Sequence, residues 1–153
     1  MEIKTSKHGF FVAKCDIPVY RVHRITHSWP RRFSNYEERS IFFPSTVQNL
    51  ITHEKYEDAD HRKFYSRNGH AGWHAFLEMH TALQIMSYTI MNDYRQGYNK
   101  DVEYFIRPLY IPVGSKCRIY ETSFSFDQFN KEKDPREYNV KCSAIRTTRL
   151  LAL

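Results

Sequence analysis

The chain has 153 residues, 41% apolar and 26% charged, which suits one globular domain over residues 1–153 with a core of its own. Eleven Phe, eleven Tyr and two Trp make it 16% aromatic, which excludes a disordered composition. A formal net charge of +6 and a pI of about 9.2 bias its encounters toward anions such as nucleotides, nucleic acid or acidic proteins.

No stretch is apolar over the roughly 18 residues that a membrane-crossing helix needs. The start, Met1-Glu2-Ile3-Lys4, lacks the apolar core of a secretion signal. Cys15, Cys117 and Cys142 are odd in number, far apart and free of any C-x-x-C pair. These features predict a cytoplasmic protein with small buried or half-buried thiols, no disulfide framework and no cysteine zinc site.

In chain order, residues 9–14 and 17–25 predict strands, with Tyr20 and Val22 on one face. Thr26 to Ser40 is polar and aromatic and predicts a surface loop. A shorter helix is expected over about 45–53, with Ser45 as N-cap and Val47, Leu50 and Ile51 on one side. Residues 54–68 are charged, and Gly69 and Gly72 bracket a turn. A long helix is expected over about 73–95. There Phe76, Met79, Leu83, Met86 and Ile90 step by three and four along one stripe, and Gly97 is a natural stop. Residues 102–111 predict a strand in which Pro108 demands an edge or a bulge. A turn at 112–115 precedes a strand from Cys117, and residues 143–152 predict a last one. This order of elements points to α+β: a small, mostly antiparallel sheet packed on one long and one shorter helix.

Two constellations stand out. From Ile17 to Tyr36 the chain holds Arg21, Arg24, Arg31 and Arg32 with no acid, and Trp29 and Phe33 are interleaved. Guanidinium forks match phosphate and aromatic rings stack on bases, so Arg21, Arg24, Trp29, Arg31, Arg32 and Phe33 form the candidate anion-binding set. The competing reading is a solvated face whose arginines pair with nearby acids. A second acid-free run, 138–153, carries Lys141, Arg146 and Arg149. The other constellation is His70 and His74, four apart as helical zinc ligands can be. No glutamate follows His70, and Gly72 interrupts the pair, so the expectation is no metal. G-x-S-x-G, P-loop, G-x-G-x-x-G and paired H-x-T patterns are absent.

Gly72-Trp73-His74-Ala75-Phe76, the turn Ile111-Pro112-Val113-Gly114-Ser115 and the terminal Cys142-Ser143-Ala144-Ile145-Arg146 resemble small proteins of phages and mobile elements. These have a G-x-H-x-F helix start and an I-P-x-G-S turn. The likeness covers about half the chain in scattered pieces. It implies a fold and a phage setting, in which small proteins act by binding host factors. A fainter resemblance is to ADP-ribosyltransferases: Arg21 on an early strand, Ser66, then Glu121 can be laid on their order of Arg, Ser and catalytic Glu. That likeness implies NAD as cofactor, with Arg21 on its phosphates and Glu121 beside the ribosyl cation.

The reading preferred from sequence is a binding protein rather than an enzyme. It engages an anionic nucleotide, nucleic acid or acidic host protein, needs no cofactor, and interferes with a host defence or regulatory system. The alternative is the ADP-ribosyltransferase-like enzyme. Exposed Tyr and Phe would additionally allow a homo-oligomer.

Overall fold

The computed structural model describes residues 3–27, 36–41, 54–55, 72–97, 102–119 and 139–146. Their elements run β1 (Phe10–Val12), β2 (Ile17–His27), β3 (Tyr36–Ser40), β4 (Glu54–Lys55), β5 (Trp73–Ala75), α1 (Met79–Arg95), β6 (Val102–Ile111), β7 (Lys116–Ile119), β8 (Val140–Cys142) and β9 (Ala144–Ile145). The class is α+β, and among the described residues every strand pairing is antiparallel. Among the described residues no helix is long and apolar enough to cross a membrane.

Strand β2 is the spine. One edge pairs with β6, from Ile17 opposite Ile111 to Thr26 opposite Val102. The other edge is shared: His23–His27 pair with β3, and Tyr20 exchanges two backbone hydrogen bonds with Phe76, just past β5. Strands β1, β7, β8 and β5 make a second sheet. Tyr110 of β6 exchanges backbone bonds with Arg146, beyond β9. Backbone pairing therefore runs in a circuit from β2 through β6, Arg146, β8, β5 and Phe76 back to β2. The buried guanidinium of Arg146 is anchored on Asp16, which also accepts the Val113 N–H. Pro108 stands opposite Tyr20, whose backbone groups point away toward Phe76. The missing proline N–H thus falls on the outer edge of β6, where no ladder bond is lost.

Alternation along β2 serves two cores. Ile17 and Val19 meet Leu109, Ile111, Trp73, Ala75, Cys117, Val140 and Cys142 between the sheets. Val22, with half-buried Tyr20, meets Phe76, Ala82 and Ile85 under α1. Full burial of a side chain such as Ile85 contributes about 1.5–3 kcal/mol.

Several expectations need correction. Residues 73–75 are a strand, because they pair with 140–142 and put Trp73 and Ala75 on one face and His74 on the other. The helix starts at Met79 and ends at Arg95, with Gln96 as C-cap and then Gly97, whose φ of 82° suits glycine. Its buried stripe is Ala82, Ile85, Thr89 and Asp93, leaving Met79, Leu83 and Ile90 exposed. The supposed loop 26–40 ends in strand β3, and the last strand begins at Val140 and breaks at Ser143. The second, shorter helix over 45–53 lies outside the described residues.

Gly9 has φ of 85°, and a Cβ there would sit 2.4 Å from the Ile119 carbonyl oxygen. Gly97 shares the positive φ but has open space around it. Gly9→Ala should therefore destabilise by about 2 kcal/mol or more, and Gly97→Ala by about 1 kcal/mol. Urea unfolding of both variants checks this, and equal losses would show that the Gly9–Ile119 approach is no constraint.

Candidate functional site

Arg21 and Arg24 lie three apart on one strand, so alternation sends them to opposite faces of β2. Arg21 shares the face of Val19 and is fully buried, with Cζ 5.1 Å from the centre of the Trp73 ring. Opposite it in register stands Arg107, whose fork holds Glu38 of β3 through Nε to Oε1 at 2.5 Å and Nη2 to Oε2 at 2.7 Å. His23, also fully buried, leans on Phe105 with ring centres 5.5 Å apart. Its Nδ1 is 3.0 Å from Glu38 Oε1, but neither ring nitrogen has hydrogen-bond geometry to a partner. Burial first, then the charges of Arg21 and Arg107, push its pKa down to about 3. Glu38, whose carboxylate also receives the Arg107 fork, does not outweigh them. At neutral pH this internal cluster holds two guanidinium groups, one carboxylate and a neutral imidazole.

The opposite face of β2 is the accessible one. Arg24 stands in register with Tyr104 on β6 and with Arg39 on β3. Its Nη2 donates to Asp93 Oδ2 on α1 at 2.6 Å. The Tyr104 hydroxyl donates to the same oxygen. Burial, then the hydrogen bond to Asp93 and the charge of Asp93, push the Tyr104 pKa up to about 12, so it remains a donor. Arg24 Nε is enclosed and makes no hydrogen bond. Arg39 is half exposed and pairs through Nε with Glu37. Between these strands and the C-terminal half of α1 lies a cleft of about 290 Å³, lined by Arg24, Arg39, Thr26, Ser40, Thr89 and Asn92, with Glu37, Ile41 and Asp93.

The two arginines differ in freedom. Arg24 is held by a carboxylate that is itself buried and doubly bonded. The Arg39–Glu37 pair is exposed, and such pairs are worth only about 0–1 kcal/mol. Like charges directly across neighbouring strands repel. Asp93 and Glu37 already offset these two charges, so an oxyanion entering the cleft would meet Arg24 as a fixed wall and would have to take Arg39 from Glu37. The Thr26 hydroxyl and the Asn92 amide can donate to the remaining oxygens, whereas the Thr89 hydroxyl already donates to the Ile85 carbonyl.

Of the arginines singled out in the sequence, the structure buries Arg21 in the interior and leaves Arg24 at the cleft, so these two do not share a surface. Trp29, Arg31, Arg32, Phe33, Ser66, His70 and Glu121 lie outside the described residues. His74 is buried on β5, in register with Lys141, so the helical spacing from His70 that a zinc pair needs does not exist at its end. Among the described residues no three His, Cys, Asp or Glu side chains gather to hold a metal. Lys141 and Arg146 of the second basic run are buried and do not form a basic surface. Cys117 and Cys142 are enclosed, and burial pushes the Cys117 thiol up to about 12, whereas Cys15 is exposed. Sequence reasoning missed Arg39, Asp93 and Tyr104. Asp93 alone gave a signal, as an acid between apolar helix positions.

His23 makes stability depend on pH in a definite direction. Between the ordinary value of 6.5 and about 3, the unfolded chain takes up a proton that the folded chain refuses. Stability is then complete above pH 6.5 and falls as the pH drops toward 3, by up to roughly 4–5 kcal/mol from this group. Urea unfolding at pH 7 and near pH 4.5 should show a loss of about 2–3 kcal/mol that is much reduced in His23→Gln. A His23 imidazole titrating near 6.5 by NMR, assigned by its loss in His23→Gln, would contradict the enclosed ring.

No family model, no curated protein and no solved structure matches this chain.

Proposed function

We propose that this chain is a small basic binding protein that captures an anionic partner at the cleft between β2, β3 and α1. The observation that carries this is the juxtaposition of Arg24 and Arg39 across neighbouring strands at the rim of one cleft. Guanidinium forks receive phosphate or carboxylate through two parallel hydrogen bonds. A nucleotide, a nucleic-acid backbone and the acidic face of a protein all offer such groups, and the excess of +6 favours meeting each of them. The cleft volume is near the lower end of small-ligand pockets, which suits one nucleotide moiety or one acidic side-chain cluster.

The setting proposed is a phage-encoded product in the host cytoplasm that interferes with a defence or regulatory system by occupying that partner. It rests on the resemblance of the I-P-x-G-S turn and the G-x-H-x-F segment. The ADP-ribosyltransferase-like alternative needs Arg21 to reach cofactor phosphates. Its side chain is fully enclosed, which favours binding over catalysis.

The decisive variant is Arg39→Glu, because Arg39 is half exposed and its loss leaves the core untouched. Pull-down from host lysate with and without nuclease, followed by anisotropy titration of the captured class, should show at least about tenfold weaker binding for the variant. Wild-type affinity should fall steeply between about 50 and 200 mM salt when several phosphates are engaged. Full binding by Arg39→Glu, or capture of no anionic partner, would overturn the proposal.

A further inference from the structure

Two cysteines far apart in the chain face each other across the second sheet. Cys117 of β7 stands directly opposite Cys142 of β8 in register. Residues opposite one another on antiparallel strands point to the same face, and both side chains enter the core between the sheets with Trp73, Ala75 and Val140. At the next pair along, the Ser143 N–H donates a ladder bond to the Lys116 carbonyl. Antiparallel pairs alternate between bonded and non-bonded, so Cys117 and Cys142 form a non-bonded pair. That is the closer kind, with Cα atoms about 4.5 Å apart. A disulfide needs a Cα separation of about 4.4–6.8 Å, so the two strands already stand where a bridge can join them.

Both thiols are free. Each makes a weak S–H contact, Cys117 to the Ser115 carbonyl at 3.5 Å and Cys142 to the Trp73 carbonyl at 3.7 Å. Burial pushes the Cys117 thiol up to about 12. Burial, then the charge that a Cys117 thiolate would carry, push the Cys142 thiol up as well. The attacking species in disulfide exchange is the thiolate, so the closed core reacts slowly. Cys15, exposed between β1 and β2, is the thiol that meets an oxidant directly.

We infer that Cys117 and Cys142 are a redox pair, which a low-molecular-weight disulfide such as oxidised glutathione converts to a cross-strand bond joining β7 to β8. The Cys117 thiolate attacks one sulfur of the oxidant, whose S–S bond breaks, and one glutathione leaves as a thiol. The Cys142 thiolate then attacks the Cys117 sulfur of the mixed disulfide, the Cys117–Cys142 bond forms, and the second glutathione leaves. Two electrons and two protons pass from the protein to the oxidant. Both steps require the core to open briefly, so the pair responds to sustained rather than momentary oxidation. Once made, the bond closes the chain between β7 and β8 into a loop, which restricts the unfolded state and stabilises the fold. The pair lies in the second sheet and is independent of the cleft.

The test uses the full chain with Cys15→Ser, which removes the exposed thiol and leaves the core intact. The reduced protein is held for hours in native buffer with excess oxidised glutathione, then unfolded for thiol counting and mass spectrometry. Both remaining thiols should be lost, with the mass of two hydrogens and with no glutathione attached. Trypsin should release Cys117-Arg118 linked to Cys142–Arg146. Urea just below the unfolding transition should speed the reaction. The oxidised protein should unfold at higher urea than the reduced one, and dithiothreitol should reverse the shift. Adding Cys142→Ala should abolish both the link and the shift. Two thiols still free after treatment in that urea, or a glutathione on each instead of a mutual bond, would overturn the inference.

Discussion

Asp93 fixes how the helix sits on the sheet. Its carboxylate is buried beneath α1 and receives both the Arg24 guanidinium from β2 and the Tyr104 hydroxyl from β6. A buried carboxylate without such donors would be strongly destabilising, so the helix must turn this residue inward. That requirement sets its rotation. Ala82, Ile85 and Thr89 follow Asp93 onto the sheet, and Met79, Leu83 and Ile90 are carried round to solvent. Helix propensity alone would not hold the segment, which is rich in Thr and Ile and whose N-cap Glu78 makes no side-chain capping bond. Packing and this one polar contact do.

The interior cluster of Arg21, His23, Glu38 and Arg107 constrains the sheet in a similar way. β2 is buried on both faces, and apolar alternation alone would leave its register poorly defined. A one-residue slip against β6 would move Arg21 under the helix and separate Arg107 from Glu38, leaving several charges enclosed without partners. Buried ion pairs seldom add net stability against an apolar replacement, but breaking one costs about 3–5 kcal/mol. The charges thus penalise wrong pairings more than they reward the right one. The same cluster keeps β3 in the sheet: Tyr36-Glu37-Glu38-Arg39-Ser40 has little apolar material, and the Glu38 fork and the backbone ladder to β2 hold it there.

This explains which parts were legible in the sequence. β2, β6 and β7 show their apolar patterns locally, and Pro108 correctly announces an outer edge. β3 was not legible, because its reason for being a strand lies on β6. β5 looked like a first helical turn because Trp73 and Phe76 fit a helical period as well as an extended one, and only pairing with Val140–Cys142 decides. The helix itself was legible but not its orientation, since its widest apolar stripe is not the one that is buried. Of the arginine cluster read from the sequence, alternation along β2 divides buried Arg21 from Arg24, Arg31 and Arg32 lie outside the described residues, and Arg39, which faces Arg24, comes from a segment that carries no periodic signal.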